Sequence, residues 1–339
     1  MSSQISLRLV DIRSETHDVK TYVFQTEKAD FDHKAGQSLT LQLPIGNEVL
    51  YRTFSIASAP GAKTLLITIK SHSGGYATKW MHENLKINDT LVASGPNGKF
   101  TLELAGDDKL AFVSAGSGAT PLMSMLRKIA EKCNQIDVAW LHWVRTPDDI
   151  LFADEITKIQ KACHGLHVTM FVTQVTPGWF GYIGRPKRVT LSAALSDFAR
   201  RTVFCCGPKE FMKTVRAIYG AEGGDPSKFH VEHFGAIKKE NVELNKAKHA
   251  PMIEQRFQIQ FGNKIFEARS DETILGAATR QNVVIPCGCA AGICGTCKVY
   301  LVEGSVEMRH NGGLSAEDET SGYILSCSSK PLTALQIRA

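Results

Sequence analysis

Pro286-Cys-Gly-Cys-Ala-Ala-Gly-Ile-Cys-Gly-Thr-Cys297 decides how the chain is read. Cys289, Cys294 and Cys297 stand in C-x4-C-x2-C spacing, and Cys327 follows downstream in Ser-Cys-Ser-Ser. That is the ligand spacing of a plant-type [2Fe–2S] cluster. A flat, anionic cluster needs several thiolates presented at once by a short irregular loop. Helix and strand cannot present them, because their side chains repeat in fixed directions. Gly288, Gly292 and Gly295 permit the dihedrals of such a loop, so that backbone N–H groups can turn toward the sulfurs. Zinc favours paired C-x2-C motifs or a cysteine–histidine set, and only Cys294 and Cys297 form such a pair. Cys287 breaks the x4 spacing and is left outside the ligand set.

Working outward, the 339 residues suggest two or three domains, and 43% apolar content suits ordinary packed cores. No apolar run approaches a membrane span, and Met1–Val10 lacks a signal-peptide core. The expectation is a cytoplasmic protein without membrane insertion, its nine cysteines reduced or metal-bound. A net charge of +5 with no long basic run argues against a nucleic-acid partner.

Residues 1–104 read as short strands separated by turn signals, the pattern of a small antiparallel barrel. Two stretches stand out in it. Arg52-Thr-Phe-Ser55 opens with a guanidinium suited to a phosphate. Gly74-Gly-Tyr-Ala-Thr78 leads into a helix, where free N–H groups favour an anion. Singly, each reads better as a surface arginine or a helix-capping pair. From 105 to 235 strands alternate with helices, which predicts an α/β domain with a parallel sheet. Gly116-Ser-Gly-Ala-Thr-Pro121 lies between a strand and a helix expected from about Leu122, placing glycines where backbone can approach a pyrophosphate. A later strand ends in Cys206-Gly-Pro208, and Phe229-His-Val-Glu-His-Phe-Gly235 closes the domain. His230 and His233 are expected to face solvent, and Cys133 and Cys163 to be structural. Residues 236–252 read as a linker, and 253–339 as a domain that begins with a hairpin around Gly262-Asn263 and contains the cysteine loop.

Taken together, Arg-x-Phe-Ser, Gly-Gly-x-x-Thr, Gly-Ser-Gly-Ala-Thr-Pro and Cys-Gly-Pro resemble the ferredoxin–NADP reductase superfamily, and 253–339 is similar to a plant-type ferredoxin. The resemblance implies a multidomain fold: an antiparallel flavin-binding β-barrel, an α/β nucleotide-binding domain and an α+β (β-grasp) ferredoxin domain. It implies that Arg52, Thr53, Phe54 and Ser55, with Gly74, Gly75, Thr78 and Phe234, hold a flavin. Gly116, Gly118, Thr120, Pro121, Gly207 and Pro208 would hold the nicotinamide nucleotide. Ser55, Cys206 and Glu232 would stand at the hydride-transfer point. Phe54 replaces the commoner tyrosine, which keeps ring stacking and loses a hydroxyl. FAD is the expected flavin, with FMN as the alternative. Superfamily members that use NADPH carry Ser and Arg where Thr173-Gln174 stands here, so the expected donor is NADH.

The implied path runs from NADH to flavin to [2Fe–2S] to an electron-accepting protein. Val144-Arg-Thr-Pro-Asp-Asp-Ile-Leu-Phe-Ala-Asp-Glu155 resembles the NADH oxidoreductases of hybrid-cluster-protein systems, which makes hybrid cluster protein the first expected acceptor. Reductases of Rieske-type oxygenases are similar too, and a Rieske oxygenase is the alternative. A redox sensor or binding module on the same fold is a different class. The retained hydride-path residues Arg52, Ser55, Gly116, Gly118 and Cys206 argue against it.

Overall fold

A computed structural model describes residues 4–27, 31–46, 48–72, 75–106, 109–131, 137–234, 255–281, 283–287, 292, 295–310 and 313–338. The chain divides into two compact units, one holding most of the first two sheets and the other the C-terminal sheets together with Tyr51–Thr53 and Asn97–Lys99. Among the described residues no helix is long and apolar enough to cross a membrane.

The first sheet contains β1 (Gln4–Thr16), β2 (Val19–Thr26), β3 (Ser38–Ile45), β4 (Glu48–Ser55) and β5 (Leu65–Lys70). After them come α1 (Tyr76–Asn84) and β6 (Thr90–Asn97). The strand order is β4-β3-β6-β1-β2-β5. Alternating apolar positions turn Leu7, Leu9, Leu39, Leu41, Leu43 and Ile67 inward, each fully buried. Ile56 then bridges Ile67, which joins the two edge strands and closes the sheet into a barrel.

The second sheet is parallel and fully buried at its centre. It is built from β7 (Leu110–Ala115), α2 (Ala119–Ile129), β8 (Val138–Val144) and α3 (Ala153–Ala162). It continues through β9 (Leu166–Val172), β10 (Tyr182–Ile183), α4 (Arg188–Ala194), β11 (Thr202–Cys206), α5 (Lys209–Ala221) and β12 (Phe229–Glu232). The order β10-β9-β8-β7-β11-β12 turns back at β7, so the loops after β7 and β11 flank one crevice. Open α/β sheets bind ligands at such a reversal. The helix expected from about Leu122 starts at Ala119 instead. Proline suits a first turn, where its missing N–H has no intrahelical acceptor, so Thr120 and Pro121 lie inside the helix.

The C-terminal unit has β13 (Arg256–Phe261), β14 (Lys264–Arg269), α6 (Ile274–Arg280), β15 (Lys298–Glu303), β16 (Val306–Met308), α7 (Ala316–Thr320), β17 (Tyr323–Leu325), β18 (Ser329–Pro331) and β19 (Leu335–Arg338). Its main sheet runs β14-β13-β19-β15-β17 and is mixed, since β13 and β19 pair in parallel. Thr273 caps α6 by accepting from the Gly276 N–H. The segment read as a linker lies outside the described residues.

Candidate functional site

The parallel register aligns the end of β11 with its neighbours. Cys206 stands opposite Ser114 on β7 and opposite Glu232 on β12. Register partners in a parallel sheet project to the same face, so three polar side chains form a row there. The barrel meets this row. Ser55 ends β4, and its Oγ donates to Glu232 Oε2 at 3.1 Å across 177 residues of sequence. Both side chains are buried. Burial raises the Glu232 carboxyl to about 8, and the Ser55 hydrogen bond only partly offsets it. Glu232 is therefore protonated at neutral pH. Burial, with Glu232 beside it, also raises the Cys206 thiol well above its ordinary range, so it stays protonated.

The row extends to residues that sequence reasoning passed over. Ser114 Oγ lies 2.7 Å from His142 Nδ1 and accepts from Trp140 Nε1 at 2.8 Å. Burial pushes His142 down to about 4, so its ring is neutral. Both residues sit within apolar runs read as plain strands, and only the register brings them together. His230 also departs from expectation: its ring lies 5.2 Å from that of Phe204 and is half-buried, whereas His233 is exposed. Cys163 is disulfide-bonded rather than a reduced thiol, and Cys133 lies outside the described residues.

Two helix starts provide anion cradles. At α1 the N-cap Gly75 makes no side-chain cap, and Thr78 Oγ1 donates to the Gly75 carbonyl at 3.2 Å. First-turn N–H groups there have no intrahelical acceptor, as a flavin pyrophosphate requires. Gly74 lies outside the described residues. Arg52 on β4 donates to the Tyr51 carbonyl at 2.8 Å, and no carboxylate among the described residues pairs with it. Thr53 and Phe54 share that strand, and Phe54 packs against the barrel core. Phe234 is 49% exposed, which leaves a ring face free for stacking.

At α2 the N-cap Gly118 likewise has no side-chain cap. Gly116 has φ of +53°, with open space where a side chain would start. Gly118 backs onto the Cys206 carbonyl, and a Cβ there would collide with it, so glycine lets this loop lie against β11. Thr120 Oγ1 donates to the Ser117 carbonyl at 3.0 Å, Gly207 follows Cys206, and Pro208 caps α5. These features suit a dinucleotide phosphate against the loop.

In the C-terminal unit Cys289 and Cys294 lie outside the described residues. Cys297 and Cys327 are both buried unbridged thiols. The pairing of Lys298 with Leu325 sets the two cysteines beside each other, and the Ser326 N–H donates to the Cys297 carbonyl at 3.0 Å. A hydrogen bond to Cys327, and then burial, push the Cys297 thiol far above its ordinary range. Two adjacent buried thiolates would repel without a cation between them, so this donor pair suits an iron site. Gly292 and Gly295 have φ of +70° and +73°, and the Gly313 N–H donates to the Gly292 carbonyl at 2.9 Å. Cys287 is a buried thiol as well.

Comparison with known proteins agrees with these three parts. The oxidoreductase FAD-binding domain family matches residues 6–102, the oxidoreductase NAD-binding domain family 112–217, and the 2Fe-2S iron-sulfur cluster binding domain family 258–332. The chain is 38% identical over 98% of its length to the stachydrine N-demethylase reductase subunit Stc4 of Rhizobium meliloti, covering 96% of that protein. It is 35% identical to the glycine betaine monooxygenase reductase subunit of Chromohalobacter salexigens, over 98% of this chain and 94% of that one. The NADH oxidoreductase HCR of Escherichia coli is 32% identical, over 94% of this chain and 93% of that one.

Proposed function

The chain belongs to the ferredoxin–NADP reductase superfamily, as an NAD(P)H-dependent reductase with FAD, NAD-binding and C-terminal [2Fe–2S] domains, and from that premise we propose that it is the NADH-dependent reductase component of a Rieske-type oxygenase. FAD, when bound, accepts a hydride and releases its electrons one at a time, and the [2Fe–2S] cluster carries them singly. Ser55 and Glu232 hold a proton that would stand beside the edge of a bound flavin. Cys206, kept as a neutral thiol, offers the nicotinamide an uncharged wall. The loops after β7 and β11 bind and orient the dinucleotide, and the turn at Cys327 presents a cluster ligand.

The choice of acceptor rests on one observation. Two relatives named as demethylase and monooxygenase reductase subunits align over nearly the whole chain, ferredoxin domain included, at higher identity than HCR. That reverses the order suggested by the 144–155 segment, which put hybrid cluster protein first. The oxygenase substrate is a property of the acceptor, because this chain handles only nucleotide and electrons.

Preference for NADH is supported by the end of β9. Thr173 and Gln174 follow the strand, and their N–H groups go to the Val144 and Arg145 carbonyls. The Arg145 guanidinium is committed to Asp18 at 3.3 Å and to Asp149 at 3.1 Å. Neither Thr173 nor Gln174 offers a 2′-phosphate a charge, and the next base, Arg185, comes only after β10, which pairs with β9. One experiment tests both points: supply the purified protein with oxygenase or hybrid cluster protein and follow oxidation of each nucleotide. Faster consumption of NADH than of NADPH, with turnover through the oxygenase, is expected. Preference for NADPH, or turnover through hybrid cluster protein alone, would overturn the corresponding half.

A further inference from the structure

The segment 144–155 has no assigned task, and the structure gives it one. Phe152 and Glu155 from this segment grip a single residue of α2, Arg127. Glu155 receives the guanidinium as a fork, at 2.7 Å from Nε and 2.6 Å from Nη2. Phe152 sits in a left-handed conformation, φ +57°, and its ring lies 5.2 Å from the guanidinium carbon. The remaining arm, Nη1, donates to the Ala57 carbonyl at 2.5 Å. One turn earlier on the same helix, buried Ser124 Oγ donates to the Ser58 carbonyl at 2.7 Å. Positions 124 and 127 are three apart and so share a helix face.

The target of these bonds is the stretch that leaves the flavin strand. Ala57 and Ser58 come two and three residues after Ser55. Their other backbone groups are tied to the barrel: the Ile56 N–H donates to Gln37 at 2.8 Å and the Ala57 N–H to Leu66 at 2.7 Å. Ile56 and Ala57 are thus held by the barrel through their amides, and Ala57 and Ser58 by α2 through their carbonyls. The same helix begins at the glycine loop that suits the dinucleotide. A second tie runs from the same segment to the barrel, where Arg145 reaches Asp18 in the turn after β1.

We infer that Ser124 and Arg127, with Arg127 held by Phe152 and Glu155, are positioning residues that fix the distance between the nicotinamide loop and Ser55 at the flavin edge. This rests on the reductase reading and adds to it a specific device. The guanidinium is largely withdrawn from solvent and takes its counter-charge from the more exposed Glu155, so the fork preorganises the third bond to Ala57. Hydride transfer depends steeply on donor–acceptor distance, whereas nucleotide affinity depends on the phosphate cradle alone. A misplacement of about 1 Å can cost on the order of 100-fold in rate.

The test uses the full chain with FAD and cluster bound, as wild type, S124A, R127M, R127K and E155Q. Flavin reduction by NADH is followed anaerobically by stopped flow, with NADH affinity and FAD content measured alongside. Amide hydrogen exchange across residues 54–62 is measured in the FAD-free protein. Slower flavin reduction by about ten-fold or more in S124A and R127M is expected, with affinity for NADH within about two-fold. Exchange across 54–62 rises in both, E155Q loosens the segment less, and R127K recovers part of the rate. Unchanged hydride transfer in S124A and R127M overturns the inference, as does a loss that merely follows lost FAD or lost NADH affinity. If R127M does not fold, S124A decides, since it removes one hydroxyl. A wild-type protein whose flavin NADH cannot reduce would overturn the reductase reading itself.

Discussion

Replacing Cys327 with serine abolishes electron delivery to a protein acceptor while NADH continues to bleach the flavin. The two activities separate because their residues belong to different units: Ser55, Cys206 and Glu232 lie in the first, and Cys297 and Cys327 in the second. A serine hydroxyl is a far poorer iron ligand than a thiolate, and the turn at Leu325–Ser328 offers no replacement sulfur. Cys287 is the nearest reserve, but it precedes the cluster loop rather than following it. Visible spectra should lose the cluster band and keep the flavin bands. NADH-driven reduction of a two-electron dye persists, and oxygenase-linked turnover falls to background. Equal loss of both activities would show that the cluster holds the whole molecule together, contrary to this account.

The second large effect concerns the proton on Glu232. Below about pH 8 this carboxyl is protonated and can donate its own O–H to Ser55, which would free the Ser55 O–H for a flavin bound beside it. Above that pH the carboxylate takes the Ser55 hydrogen for itself. Flavin reduction by NADH should therefore slow as pH rises through about 8. In E232Q the amide N–H₂ donates to Ser55 at every pH, so the rate should be flat across that range. S55A removes the donor and should slow reduction by about 100-fold at all pH values. The same shift acts on stability. The folded carboxyl holds its proton up to about 8, whereas in the unfolded chain it ionises near its ordinary value of 4.5. Stability of the apoprotein falls as pH rises between those values, and the slope is smaller in E232Q. A wild-type rate with no step near pH 8 would count against this assignment.

The cysteine loop was readable because three of the four ligands fall within one short stretch and write their spacing directly into the chain. The fold classes were readable for a related reason: strand alternation and glycine turns are local. Pairings across the chain were not. Nothing near Ser55 points to Glu232, 177 residues away, and only family resemblance nominated both. Ser114 and His142 were hidden inside apolar strands, since register rather than sequence makes them neighbours. Ser124 and Arg127 read as ordinary residues of an amphipathic helix. Their barrel partners are backbone carbonyls, which leave no trace in side-chain patterns. The one available hint was the charged and aromatic run ending in Phe152 and Glu155, which made sense once Arg127 was seen between them. Of the two histidines near the end of the second sheet, His230 misled for the opposite reason: alternation alone could not say that Phe204 lies against it, whereas His233 is exposed as expected.

The central claim is that one chain receives electrons in pairs and releases them singly. Anaerobic titration of the holoprotein with NADH, read by visible absorbance and electron paramagnetic resonance, measures this directly. The account predicts that flavin and cluster bands both bleach, that the signal of a reduced [2Fe–2S] cluster develops, and that added oxygenase component discharges it. Full flavin bleaching with a cluster that stays oxidised at excess NADH would contradict it.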